Sequence, residues 1–245
     1  MRFRFLTIIS ALFVTSFCSA MPQGTPTADE VIKQMAARDA QRQTSLDGYA
    51  GMRRYILVND HMHKRAEMVV RVSGEANGTK HFEIVSESGW KAAHKHVLHK
   101  MLESEAETSS PEARAKTRLS PDNYEFQLVG TDKVNDRTVY AINVTPKRKE
   151  KYLFHGQILV DAEEYAVVRA DGNPSKNPSF WTKSVHFVHT YQKNGEFWFP
   201  VTTQSETEAR IFGTTDLTIE YFDYKPNGPT TAASSTEIAQ GGTRR

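Results

Sequence analysis

The hydrophobic pattern changes period several times along the chain. Residues 5–17 form one apolar run behind Arg2 and Arg4, closed by Cys18-Ser19-Ala20 and followed by Met21-Pro22. A short basic region, an apolar core and small residues at its end describe a cleavable secretory signal over residues 1–20, cut between Ala20 and Met21. The run is too short to span a bilayer, which takes about 20 apolar residues. The alternative export route is a lipid anchor through Cys18, with Phe17 standing where a small residue is wanted. A flexible leader, residues 21–26, precedes Thr27-Ala28-Asp29-Glu30, a capping box with a hydroxyl at the N-cap and a carboxylate three positions later. Val31, Ile32, Met35 and Ala36 then recur at helical spacing, predicting a helix over 27–44 that Asp47-Gly48 ends.

From Tyr49 the period is two. Tyr49, Gly51, Arg53, Tyr55 and Leu57 share one face, and Met52, Arg54, Ile56 and Val58 the other. Asn59-Asp60 signals a turn, and 62–72 alternates with its even positions apolar and Arg65, Glu67 and Arg71 outward. A turn over 73–79 leads to a third strand over 80–86, completing a meander. A second helical stretch, 90–107, offers Val97, Leu98, Met101 and Leu102, and the Ser/Pro-rich segment 108–121 reads as loop. Strands resume at Tyr124, Phe126 and Leu128, then at Tyr140, Ile142 and Val144 within 137–145. A hairpin over 156–170 turns at Ala162-Glu163-Glu164, and a loop over 171–179 follows. Trp181, Val185, Phe187 and Tyr191 line one face of a long strand, and Asn194-Gly195 is the strongest hairpin signal in the chain. The return strand, 196–205, carries Pro200, which suggests an edge or a bulge. Leu217, Ile219 and Tyr221 mark the last strand, and 226–245 reads as a disordered tail.

About ten strands, two helices and no repeated βα alternation predict a mainly β (α+β) fold. An antiparallel sheet of that size curls toward a barrel. One domain over 27–225 accounts for the pattern. Removing Arg2 and Arg4 with the signal takes the formal net charge from +2 to zero. That leaves no basic excess to suggest nucleic acid or an anionic membrane as partner. Cys18 is the one cysteine, so the processed chain has neither disulfide nor thiol chemistry.

Catalytic motifs are missing: there is no Gly-rich phosphate loop, Gly-x-Ser-x-Gly, His-Glu-x-x-His or paired-cysteine pattern. His94, His96 and His99 invite a metal reading, as do His61 and His63. A helix points positions i and i+2 apart, however, and no carboxylate lies within 94–99 to complete a ligand set. No metal and no cofactor are expected. The carboxylate pairs Glu163/Glu164 and Glu103/Glu105 read as a turn and a solvated helix face. The strand aromatics describe either an ordinary β core or an apolar pocket inside a curved sheet.

Helix 27–44 followed by Leu46-Asp47-Gly48-Tyr49-Ala50-Gly51 resembles the opening of the LolA-like superfamily. That group holds periplasmic lipoprotein carriers, the receptor LolB, the envelope-stress sensor RseB and outer-membrane lipoprotein-sorting proteins. Asn123-Tyr124-Glu125-Phe126 with Val129-Gly130 is similar to the sorting-protein group. So are 146–148 leading into 154–161 with 165–169, and 195–200 (GEFWFP). The order of these motifs over about 28–225 carries the resemblance. It implies an incomplete antiparallel barrel of about eleven strands plugged by helices, with a cavity for acyl chains, and binding or transport without catalysis. Arg53 and Arg54 are positioned for the carriers' cavity arginine, whose role is assigned to neither.

The resulting expectation is a periplasmic, monomeric lipid- or lipoprotein-binding protein in lipoprotein sorting, with an envelope membrane protein as a further partner. The alternatives are a stress sensor of the RseB type and a histidine-based metal enzyme. The cavity is expected to be lined by Met35, Tyr55, Met68, Phe82, Val97, Leu98, Met101, Phe126, Tyr140, Trp181 and Phe187, with both helices across the concave face. Met101→Asp is then expected to weaken lipid uptake more than melting temperature, since methionine repacks around variable ligands.

Overall fold

The computed structural model describes residues 25–211 and 213–227. The signal, the Cys18 anchor, residues 21–24 of the leader and the tail beyond 227 lie outside the described residues. Ten strands form one antiparallel sheet in the order β3-β2-β1-β10-β9-β8-β7-β6-β5-β4. They are β1 (Tyr49–Asn59), β2 (Lys64–Gly74), β3 (Lys80–Gly89), β4 (Tyr124–Val134), β5 (Arg137–Pro146), β6 (Phe154–Asp161), β7 (Val167–Pro174), β8 (Thr182–Asn194), β9 (Phe197–Ala209) and β10 (Gly213–Pro226). The sheet is not closed: β3 and β4 are its two edges.

Helix α1 (Ala28–Ser45) begins at the capping box as expected, with Thr27 N–H donating to Glu30 Oε2 at 2.7 Å and Glu30 N–H to Thr27 Oγ1 at 3.3 Å. Its stripe of Val31, Ile32 and Met35 is buried. The second helical stretch is not one α-helix. α2 (Lys91–Ala93) runs through a π turn (His94–Leu98) into α3 (His99–Thr108). The segment read as loop contains a short α4 (Pro111–Ala115), where Ser110 caps and Pro111 stands in the first turn, a position that needs no N–H.

Cross-strand register puts one row of side chains on one face of the nine strands from β2 to β4 in sheet order. It runs Met68, Tyr55, Ile219, Thr203, His189, Ala170, Ile158, Ile142, Leu128. Both helical segments pack on this inner face. Val31, Ile32 and Met35 join Tyr124, Ile142, Val144, Leu153, Ile158 and Val160 in one core. Ala93, Leu98 and Leu102 join Tyr55, Leu57, Ala66, Met68, Val70 and Ile219 in another.

The curl of the sheet follows from one contact pair. Arg114 Nη2 donates to Asn77 O beside the β3 edge at 2.7 Å, and the next residue's carbonyl, Ala115 O, accepts from Asn123 Nδ2 beside the β4 edge at 3.1 Å. A flat ten-stranded sheet would hold its edges about 43 Å apart, at about 4.8 Å per strand. Here two adjacent residues of α4 bridge the gap, so the sheet is an incomplete barrel. Bulges in β10 opposite β1, in β2–β3, β4, β6–β7 and β8–β9 supply the added twist.

One turn differs from the reading above, and a second joins two strands whose connection the pattern left open. The loop after β8 is Gly195-Glu196, with Asn194 paired to Phe197, and glycine takes the first loop position at φ 63°. That is the two-residue turn in which only the first position needs a positive φ. Between β4 and β5, Asn135 and Asp136 both have positive φ, the mirror-type turn that asparagine and aspartate tolerate. Pro200 lies beside a bulge, and the ladder between β9 and β10 starts at Thr202, so its missing N–H breaks no bond to β10.

Candidate functional site

The inner face is apolar at both ends and polar in the middle, because β8 and β9 place His189, Thr203 and Ser205 between the two cores. Packing is incomplete here. A cavity of about 620 Å³ lies under α1, walled by Met35, Ala36, Leu46, Leu119, Val167, Tyr191, Phe197 and Phe199. A second, of about 330 Å³, shares Leu119, Val167 and Tyr191 with it and continues to Leu153, Phe154, Phe187 and His189. Both fall within the size range of small-molecule sites. The rim of the first carries Asp39, Arg42, Arg118 and Asp122. Arg42 Nη1 donates to Glu164 O at 3.0 Å and fastens the end of α1 to the turn before β7.

Few polar groups face this apolar space. His189 Nδ1 lies 2.6 Å from Thr203 Oγ1, which lies 2.9 Å from the Tyr221 hydroxyl. Burial lowers the His189 pKa to about 4, so the ring is neutral at pH 7. Burial, then the neighbouring Tyr221, pushes the Tyr191 hydroxyl up to about 12. Trp198 Nε1 is buried without a hydrogen-bond partner.

Next to the second core lies a buried ionic cluster that alternation alone does not reveal. Arg53 is 2% exposed on the inner face. It reaches Glu105 of α3 through two hydrogen bonds, and its Nε donates to the Tyr224 hydroxyl at 2.8 Å. Its guanidinium lies over Phe82 and Tyr221, 5.3 and 5.0 Å from the ring centroids. Glu105 also accepts from Lys80 Nζ at 2.7 Å. Arg54 points the other way and pairs with Glu220 at the surface. Glu105, read as solvated, is therefore the anchor of a helix.

Of the anticipated lining residues, the cavities contain only Met35 and Phe187. Phe126 and Tyr140 pack half-buried against the α1 core. Tyr55, Met68 and Leu98 are sealed in the second core, with Phe82 and Met101 on its flank. Val97 is 40% exposed, because the π turn rotates it outward. Trp181 is exposed just before β8, outside its alternating face. Leu119, Leu46 and, apart from Phe187, the β7–β9 residues were not anticipated. Leu119 sits in a segment without periodicity, whereas Phe197 and Phe199 carried a readable alternation.

The π turn also changes the histidine picture. His99 N–H bonds to His94 O, five residues back, so both rings fall on one side and share the Glu87 carboxylate. His96 points elsewhere and is exposed. Among the described residues, no group of three His, Cys, Asp or Glu side chains is arranged to hold a metal ion. A polar hollow of about 570 Å³ on the outer face, around Gly156 and Gly172, is lined by His155, Gln157, Arg169 and Asp171. It is a surface groove between ion-paired side chains.

With this geometry in place, comparison with known proteins adds the following. A model of a family of unknown function, DUF5686, matches residues 117–224, less than half of the chain. No curated protein matches. A structure carrying the superfamily name anticipated above is among those similar to the chain. A LolA superfamily protein from Nitrosomonas europaea is 9% identical, with a TM-score of 0.43 over 82% of this chain and 94% of that one. A structure described as an outer membrane lipoprotein-sorting protein domain, from Vibrio parahaemolyticus, is 13% identical, with a TM-score of 0.43 over 82% and 93%. MucB, in the MucA/MucB complex of Pseudomonas aeruginosa, is 10% identical, with a TM-score of 0.27 over 81% and 98%. No helix among the described residues is long and apolar enough to cross a membrane.

Proposed function

We propose that this chain is an exported, non-catalytic binding protein of the cell envelope that takes a lipid or the acyl part of a lipoprotein into the space under α1. The observation that carries the reading is the pair of adjoining cavities between α1 and β7–β9, apolar inside and charged at the rim. Such a shape shelters a hydrocarbon chain and leaves a polar head at the mouth. The buried groups there suit this cargo: a neutral His189 and a protonated Tyr191 present no charge to an apolar ligand. The sorting or carrier role expected from the sequence would follow from reversible release of that cargo.

The test is native extraction. Protein purified from its own host is extracted with organic solvent, the extract is analysed by mass spectrometry, and the stripped protein is titrated with a fluorescent fatty acid. A recurring acylated species and saturable uptake are expected. A consistently empty protein that takes up no fatty acid overturns the reading.

A further inference from the structure

The even charge balance of the processed chain argued against an anionic surface as partner, but the fold redistributes that charge. Three loops lie side by side at one end of the sheet: 147–153 between β5 and β6, 175–181 between β7 and β8, and residues 210 and 211 after β9. Backbone bonds tie them together. Ser175 N–H donates to Leu153 O at 2.7 Å, and Arg210 N–H to Trp181 O at 2.9 Å. The described residues of this rim expose the cations Lys147, Lys149, Lys151, Lys176 and Arg210, with Lys183 just behind them. The nearby acids are already engaged, Glu150 by Arg148 and Glu208 by Lys183.

Large apolar side chains stand among these cations. Phe180 is 77% exposed, Trp181 54% and Ile211 58%, with Tyr152 half-exposed beside them. Their arrangement is ordered. Phe180 and Trp181 meet edge to face at 5.5 Å, Arg210 lies over the Phe180 ring at 5.4 Å, and Lys151 over Tyr152 at 4.9 Å. Core packing does not explain Phe180, Trp181 and Ile211, which belong to none of the buried clusters, whereas the Tyr152 hydroxyl reaches back to Ser104 of α3. Clustered apolar exposure of this kind marks a contact surface.

We propose that this rim is a peripheral membrane-docking surface for anionic phospholipid. Tryptophan, phenylalanine and tyrosine settle at the depth of lipid headgroups, where a ring is half in hydrocarbon and half in water. Lysine and arginine beside them neutralise lipid phosphates while their stems cover apolar surface. A folded protein partner would present an acidic patch here, but that gives no reason for large apolar side chains on three separate loops, Tyr152 on the first, Phe180 and Trp181 on the second and Ile211 on the third, at one end of the sheet. The mouth of the smaller cavity, at Lys151, Tyr152 and Pro174, belongs to the same end. Docking would therefore bring that opening to the lipid surface. The inference rests on the loops alone and stands whether or not the cavities hold a lipid.

The experiment is co-sedimentation of the protein with vesicles of phosphatidylcholine, with and without phosphatidylglycerol. The protein is expressed from its full sequence, and its N-terminus is read by mass spectrometry so that every variant is compared in the same processed form. Binding is expected only with phosphatidylglycerol, weakening as salt is added. Removing a surface cation weakens such binding about fivefold, so Lys149→Glu with Lys151→Glu should lower it more than tenfold. Phe180→Ser with Trp181→Ser should lower it as well. With Trp90→Phe and Trp198→Phe in place, so that Trp181 is the one emitter, its emission should shift to the blue and be quenched by brominated phosphatidylglycerol. Absence of binding to phosphatidylglycerol, binding indifferent to both double variants, or an unquenched Trp181 overturns the proposal. So does a rim found to engage only a protein partner.

Discussion

Arg53 and Glu105, 52 residues apart in sequence, face each other with both prongs engaged, Nη1 to Oε2 at 2.8 Å and Nη2 to Oε1 at 3.1 Å. The pair pins α3 to the inner face of β1, and its two ends are not equivalent. Arg53 is buried, whereas the Glu105 side chain is 33% exposed and keeps Lys80 as a second partner. Removing Glu105 strands a buried guanidinium. Glu105→Ala is therefore expected to cost about 3–5 kcal/mol. Arg53→Met should cost less, because Glu105 retains Lys80 and water and the methionine fills space between Phe82 and Tyr221. Urea denaturation of the two variants checks the order; equal losses would mean the pair is not the anchor described.

Stability should fall on acidification in two stages. Burial lowers His189 from 6.5 to about 4, so between those values the unfolded chain binds a proton that the folded one refuses. Its contribution is complete above pH 6.5 and is lost as pH falls to 4, with a slope of at most about 1.4 kcal/mol per pH unit. Burial alone would raise Glu105, but Lys80 and Arg53 outweigh it and hold the carboxyl at about 2 instead of 4.5. That contribution is present above pH 4.5 and fades as pH falls toward 2. His189→Asn should flatten the first stage and Glu105→Gln the second, in melting curves recorded across pH.

The cavity can be blocked without touching a core. Ala36 is exposed on α1 and lies on the wall of the larger cavity. Ala36→Trp should cut fluorescent fatty acid uptake at least tenfold while moving the melting temperature little. Met101 lies against the solid second core, away from both cavities. Met101→Asp is therefore expected to lower the melting temperature and spare uptake, the reverse of the expectation from sequence. Titrations and thermal melts of both variants decide the assignment.

A glycine pair sets a close approach within the sheet. Gly156 and Gly172 are cross-strand partners, and a Cβ at Gly172 would sit 2.4 Å from His155 O. Backbone, not a flexible side chain, blocks that space. Gly172→Ala is expected to destabilise by about 1–3 kcal/mol, measured by denaturant unfolding; a neutral result would mean that the two strands can separate freely there.

Period-two alternation was sufficient for the ten strands, the inward parity of β1 and β2 and the capped start of α1, because those features depend on neighbours within a few residues. The same locality makes Asn135-Asp136 readable as a turn signal. The π turn escaped because it shifts register by a single residue, and that shift carried Val97 outward and brought His94 and His99 together. Trp181 escaped because the strand it belongs to by pattern starts one residue later.

What the sequence determined by itself is therefore the alternation that makes an antiparallel sheet, and the apolar stripes that must lie on it. Which strand faces meet across 50 or 170 residues was settled only in three dimensions. Arg53 could find Glu105 and Tyr224, and cations from three loops could gather at one rim, only after the sheet had curled. Chain order specifies hydrophobic faces through local periodicity, but charge pairing and cavity shape depend on distances that only closure of the sheet creates.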